Sequence, residues 1–132
     1  MTQEEKELLL EEICCRLPYG IKILYNGLEM EIRGIDVVSK TVDIIDWGKY
    51  RFVSVPIENI KPYLRPWSSM TEKEIKEIQT ILGDAFADTE MYTISILGTQ
   101  PLFKYLNKKM IDYRGLIPMG LAIEVKERMY NS

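Results

Sequence analysis

Ile21-Lys22-Ile23-Leu24-Tyr25-Asn26-Gly27-Leu28-Glu29-Met30-Glu31-Ile32-Arg33-Gly34 decides how this chain is read. Ile21, Ile23 and Tyr25 alternate with Lys22 and Leu24, and Leu28, Met30 and Ile32 alternate with Glu29, Glu31 and Arg33. A period of two places one set of side chains on a buried face and the other in water. Asn26-Gly27 between the two runs is a strong hairpin signal, because both residues tolerate positive φ. Gly34 marks a bend or bulge, after which Ile35 to Val38 continue the strand and Ser39-Lys40 turns it.

The same rhythm continues to Trp67. Thr41 to Trp47 reads as a third strand, Gly48-Lys49 as its turn, and Tyr50 to Val55 as a fourth. Pro56 cannot donate to a ladder, so it ends that strand or lies at an edge. Ile57-Glu58-Asn59-Ile60 has the length of one helical turn, and Lys61 to Leu64 of a brief closing strand. Short bent strands with a helical turn before the last resemble an SH3-like barrel, an architecture that includes RNA-binding, peptide-binding and purely structural examples.

Helices flank this segment. Thr2 with Glu5 forms a capping box that opens a helix over 2–15, and Leu10, Ile13, Cys14 and Leu17 make its apolar stripe. Thr71 with Glu74 is a second capping box, opening a helix that Gly83 ends. Ile75, Ile78 and Leu82 face inward on it, while residues 84–90 read as a loop. Met91 to Leu97 reads as a further strand, and Thr99 with Pro101 opens a third helix, with Leu102, Phe103, Leu106 and Met110 on its inner face. Asp112-Tyr113-Arg114-Gly115 is a turn, Leu121 to Val125 a last short strand, and the tail from Lys126 is expected to be loose. The expected fold class is therefore α+β in a single domain over 1–132: a helix plus small barrel over 1–67, and a helical and strand extension over 68–132 packed on it.

Composition narrows the function classes. Apolar residues make up 46% of 132 positions and charged ones 28%, the balance of a folded globular chain. The net charge is −3 and neither half is basic, so there is no general nucleic-acid footprint. The chain has no histidine, which removes the commonest general base and metal ligand. Cys14 and Cys15 are adjacent, which suits reduced thiols in the cytoplasm and no disulfide framework. Nothing approaches the roughly 18 apolar residues of a membrane span, and the acidic start lacks the apolar region of a signal peptide.

Three motifs carry a family resemblance. Leu17-Pro18-Tyr19-Gly20, then Ile57-Glu58-Asn59-Ile60-Lys61-Pro62-Tyr63-Leu64-Arg65-Pro66 running on to Ser68-Ser69-Met70-Thr71, and Ile111-Asp112-Tyr113-Arg114-Gly115-Leu116-Ile117-Pro118-Met119-Gly120-Leu121-Ala122 resemble short uncharacterised proteins carried on phage or prophage-like DNA of gut anaerobic bacteria. Members of that group often carry one or two histidines before the Asp-Tyr-Arg-Gly turn, where this chain has Lys108, Lys109 and Met110. The resemblance implies a mobile-element context and no reaction.

Two candidate sites emerge. Lys49, Tyr50, Arg51, Lys61, Tyr63, Arg65 and Trp67 interleave aromatic and basic side chains, a pattern that stacks bases and holds phosphates. The plainer reading packs Tyr50 and Trp67 on the core and lets the charges reach water. Asp112, Tyr113 and Arg114 could orient an anionic ligand through the guanidinium fork; the plainer reading makes them turn-formers, with Arg114 paired to an acid. Asp36, Asp43 and Asp46 make a poor metal cluster, because strand parity puts Asp43 and Asp46 on opposite faces. No phosphate loop or nucleophile elbow is present. The expectation is a non-enzymatic binding or adaptor protein acting through protein contacts, with no metal and no cofactor, an unidentified protein partner, possible self-association and no membrane role. The alternatives are a nucleic-acid accessory protein using residues 49–67 and, less favoured, a small hydrolase using carboxylates.

Overall fold

The fold is mixed α+β, in a computed structural model that describes residues 1–46, 51–87, 96–125 and 129–130. Helix α1 (Gln3–Arg16) starts at the expected capping box: Thr2 Oγ1 accepts the Glu5 N–H at 3.1 Å while Glu5 returns a carboxylate oxygen to the Thr2 N–H. Its inner face differs from the expected stripe. Leu9, Leu10 and Ile13 are buried together with Glu12 and Arg16, whereas Cys14 is exposed. A 3-10 turn at Leu17–Tyr19 and Gly20, at φ 76°, lead the chain into the sheet.

Strands β1 (Lys22–Tyr25) and β2 (Leu28–Asp36) pair antiparallel across Asn26 and Gly27, whose φ values of 50° and 77° are those of a two-residue hairpin turn. The ladder between β2 and β3 (Thr41–Asp46) shifts register between Ile32 and Gly34, so the expected bulge is present. A Cβ on Gly34 would stand 3.3 Å from an Asp43 carboxylate oxygen, a tight approach that a larger residue could make only if that side chain gave way. Of the alternating set on β2 only Ile32 is buried; Met30 is half-buried and Leu28 exposed, since the hairpin tip runs past the core. β2 also ends at Asp36, and residues 37–40 turn instead of extending it. β3 pairs with β4 (Arg51–Pro56), a 3-10 turn comes next at Ile57–Asn59, and β5 (Lys61–Leu64) returns to lie against β1.

The barrel does not close. The strand order is β4-β3-β2-β1-β5-β6, an open six-stranded sheet whose ends are β4 and β6 (Ile123–Glu124). The physical reason lies in β5. One of its edges pairs with β1, and the other takes β6 in parallel, Tyr63 opposite Ile123, so it has no free edge with which to meet β4. The C-terminal part therefore supplies a strand of the sheet as well as packing on it.

Helix α2 (Glu72–Ala87) begins at the second capping box, with Thr71 and Glu74 exchanging hydrogen bonds. It runs through Gly83, which does not stop it, so the loop expected over 84–90 is helical as far as Ala87. Helix α3 (Ile96–Lys108) already includes Ile96 and Leu97, and Pro101 lies inside it rather than at its start. The rest of the strand expected at Met91–Leu97 lies outside the described residues. On α3, Leu106 is buried and Met110 just beyond it, but Phe103 is exposed, contrary to its expected inner position. The tail is not loose where it is described: Met129 is buried, and Tyr130 Oη lies 2.8 Å from the Lys22 N–H and 2.9 Å from the Tyr63 carbonyl. That hydroxyl fills the place where the β1–β5 ladder stops. The core draws on α1 (Leu9, Ile13), the sheet (Ile23, Ile44, Leu64) and the C-terminal part (Leu116). Among the described residues, no helix is long and apolar enough to cross a membrane.

Candidate functional site: a groove between Trp67 and the 112–118 turn

Side chains from the two candidate sites meet here, although the sequence separates them by more than forty positions. The link is a short parallel bridge between Arg65 and Ile111. The Arg65 N–H donates to the Met110 carbonyl at 2.7 Å and the Asp112 N–H to the Arg65 carbonyl at 2.8 Å. This brings Pro66 and Trp67 alongside the turn that begins at Asp112. Together they line an open groove of about 460 Å³, with Tyr113, Arg114, Ile117 and Pro118 among its other residues.

The Trp67 side is held by an ion pair. Arg65 forms two parallel bonds to the Glu74 carboxylate, at 2.8 and 2.7 Å, and its remaining donors reach the Ser69 hydroxyl and carbonyl. This bidentate pair holds the Glu74 carboxyl down at about 2, and hydrogen bonding from Thr71 adds to the effect. Glu74 in turn raises the Arg65 guanidinium above its ordinary value. The loop from Pro66 to Met70 is thereby clamped between the end of β5 and the start of α2. Trp67 opens a 3-10 turn in that loop and stays 51% exposed.

The opposite side is held by Asp112. Its two carboxylate oxygens accept the Leu116 and Ile117 N–H groups at 2.8 and 2.9 Å, and Gly115 supplies the positive φ of 79° that the turn requires. Tyr113 donates its hydroxyl proton to Asn107 at 2.8 Å. The Arg16 and Arg114 guanidiniums both approach its ring, at 5.2 and 5.9 Å from the centroid, and the ring is tilted against Phe103 at 5.4 Å. Burial pushes the phenol above its ordinary value.

Beneath the turn lies a buried charge network that sequence reading alone misses. Arg16 is fully buried, donates to the Ile111 carbonyl at 2.7 Å, and pairs with Glu12, which is 1% exposed. Arg114 completes it, with Nη1 2.9 Å from Glu11 and Nε 2.9 Å from Glu12. The contact to Glu12 Oε1 is an ion contact without hydrogen-bond alignment, so that oxygen, like Arg16 Nε, makes no hydrogen bond. A signal exists in the sequence: Leu9, Glu12, Ile13 and Arg16 are spaced three and four apart, on one helix face.

The remaining sequence candidates do not gather. Lys49 and Tyr50 lie outside the described residues. Arg51 is on β4, at one end of the sheet, and Lys61 is on β5, with β3, β2 and β1 between them. Tyr63 is buried because β5 is an inner strand. Arg65 spends its donors on Glu74 and Ser69, and of the described members of the set only Trp67 lines the groove. Among the described residues of that set, Arg51, Lys61, Arg65 and Trp67 are therefore not gathered on one surface. As a ligand fork, Asp112 and Arg114 are equally engaged: the turn takes both oxygens of the first, and Glu11 and Glu12 take the second. Asp36 caps its own turn through the Val38 and Ser39 N–H groups, which lowers its carboxyl below the ordinary value, and Asp43 accepts the Ser54 hydroxyl. Among the described residues, no group of three His, Cys, Asp or Glu side chains is placed to hold a metal ion. A second groove of about 310 Å³, beside Lys22, Glu29 and Arg33, is lined by charges that pair with their neighbours.

No family model, curated protein or solved structure matches this chain.

Proposed function

We propose that this chain is a non-enzymatic binding or adaptor protein of mobile-element origin, acting through protein–protein contacts made at the Trp67 groove. One observation carries the reading: a tryptophan half in water, beside a tyrosine and two prolines, on a loop fixed by a bidentate ion pair. Exposed aromatic side chains held in place by their surroundings contribute much of the binding energy where proteins meet, because little side-chain entropy is lost on association. The groove's carboxylate, Asp112, is committed to backbone N–H groups, an arrangement that favours shape over turnover. The resemblance to phage-borne proteins supports the mobile-element origin. The nucleic-acid alternative has less support, because Arg51, Lys61 and Arg65 do not share one exposed surface.

The test is a binding screen of proteins encoded next to this one against the wild type, Trp67→Ala and a Phe52→Ala control. Phe52 is 66% exposed on β4, away from the groove. The proposal expects a binder that Trp67→Ala weakens by about tenfold or more and Phe52→Ala leaves intact. Binders that respond only to Phe52→Ala would place the contact elsewhere.

A further inference from the structure

We propose that two copies of this chain associate through β4, strand against antiparallel strand, with Ser54 on the two-fold axis. Because β6 takes the second edge of β5, β4 is left as an end strand with one edge unpaired among the described residues. The other end strand, β6, has only two residues, too short to template a neighbour. β4 has six. Three strands separate it from β5, beside which the Trp67 groove lies.

The register shows which groups the open edge offers. The Ile57 N–H donates to the Lys40 carbonyl at 3.0 Å, and the β3–β4 ladder then runs from Thr41–Pro56 to Asp46–Arg51 without a shift. Hydrogen-bonded and non-hydrogen-bonded pairs alternate along an antiparallel ladder. Counted from Ile57, therefore, Val55, Val53 and Arg51 turn their backbone groups to β3, while Pro56, Ser54 and Phe52 turn theirs away from it. Pro56 has no N–H, and at an outward position it costs the ladder nothing. The outward edge thus offers donors at Phe52 and Ser54, and acceptors at Phe52, Ser54 and Pro56.

That inventory complements itself. An antiparallel two-fold through Ser54 sets Ser54 opposite Ser54 and Phe52 opposite Pro56 of the second copy. Each Ser54 N–H then reaches the other Ser54 carbonyl, and each Phe52 N–H the other Pro56 carbonyl, so every outward donor is used. Only the Phe52 carbonyl, opposite the donorless proline, is left to water.

The side chains select a second copy over an unrelated strand. Phe52 is 66% exposed, and Ser54 and Pro56 are exposed on the same face of the strand. Across the two-fold each Phe52 ring covers a Pro56 ring, so the two exposed apolar groups of the edge bury one another. Ser54 keeps its hydroxyl on Asp43 and is small enough for the two strands to meet. Residues 52–56 carry no charge, so nothing in the paired stretch repels an identical strand, and the two Arg51 side chains stand at opposite ends of the contact. Edges that stay single are commonly guarded by charge. The contact is narrow, which makes the dimer a weak, reversible one.

The experiment follows the full chain by sedimentation equilibrium and amide exchange at increasing concentration. The mass should move from one chain towards two between about 10 µM and 1 mM. Over the same range the Phe52 and Ser54 amides should gain protection, whereas those of Val53 and Val55, bonded to β3, are protected throughout. Phe52→Lys should weaken association by about tenfold or more. Ser54→Pro, which removes an outward N–H and no ladder bond, should abolish it. Urea unfolding checks that each variant folds, and the exchange pattern of the wild type decides without them. A single-chain mass at the highest concentration, a dimer whose Phe52 and Ser54 amides exchange as fast as in dilute solution, or a dimer that folded Phe52→Lys leaves intact would overturn the inference. Association lost in Trp67→Ala and kept in Phe52→Lys would do the same, and would place the contact at the groove.

Discussion

Replacing Glu74 with glutamine tests the clamp that presents Trp67. The carboxyl is held at about 2 in the fold against an ordinary 4.5, mainly by its two bonds from Arg65. That difference corresponds to about 3 kcal/mol of stability at neutral pH. Because the folded value is depressed, the contribution is fully present above the unfolded value and is lost as pH falls from 4.5 towards 2. Glu74→Gln should therefore unfold about 2–3 kcal/mol more easily than the wild type near pH 7, a glutamine oxygen retaining part of the bonding. The deficit should shrink to less than half by about pH 3, where the wild type is losing the same interaction. Urea unfolding at a series of pH values measures both quantities. Trp67 emission should also shift towards that of free indole, since the loop from Pro66 to Met70 loses its tie to α2. A deficit below about 0.5 kcal/mol near pH 7, or one that stays constant with pH, would refute the reasoning, because either result means the ion pair does not hold the loop.

Particular contacts elsewhere in the fold carry further expectations. Tyr130→Phe strands the Lys22 N–H and the Tyr63 carbonyl where the β1–β5 ladder ends, and should cost about 1–3 kcal/mol in urea unfolding. Arg16→Met leaves Glu12 buried without its main partner and should cost about 3–5 kcal/mol. The double variant Arg16→Met, Glu12→Leu should recover much of that loss, and a double variant no better than the single would contradict the pairing. Gly27→Ala, at φ 77°, should destabilise the hairpin by about 1–2 kcal/mol. Gly83→Ala lies within α2 with open space around its Cβ, and should raise the melting temperature through a gain of about 0.5–1 kcal/mol.

Local chemistry decides the features that are legible in the chain. The Thr2–Glu5 and Thr71–Glu74 boxes, the Asn26-Gly27 turn, the bulge at Gly34 and the helical turn at Ile57–Asn59 each rest on a few neighbouring residues, and each is present. Gly83 reads as a stop in the sequence because a glycine that ends a helix and one that interrupts it look alike until the helix is seen to run on to Ala87. The open sheet is hidden because closure depends on which strand takes the second edge of β5, and a two-residue β6 has no periodicity to announce it. The groove is hidden for a similar reason. Trp67 and the Asp112 turn each stand out in the sequence, yet only the bridge from Arg65 to Ile111 makes them one site. The burial of Glu12 and Arg16 depends on the distant Ile111 carbonyl and Arg114, which the helix's own sequence does not announce.

The most direct test of the central claim is amide hydrogen exchange of the full chain, alone and saturated with a partner found in the binding screen. The groove account predicts new protection over residues 66–70 and 112–118, with the exposed strand β4 unchanged. Protection over 51–56, with 66–70 and 112–118 unaltered, would contradict it.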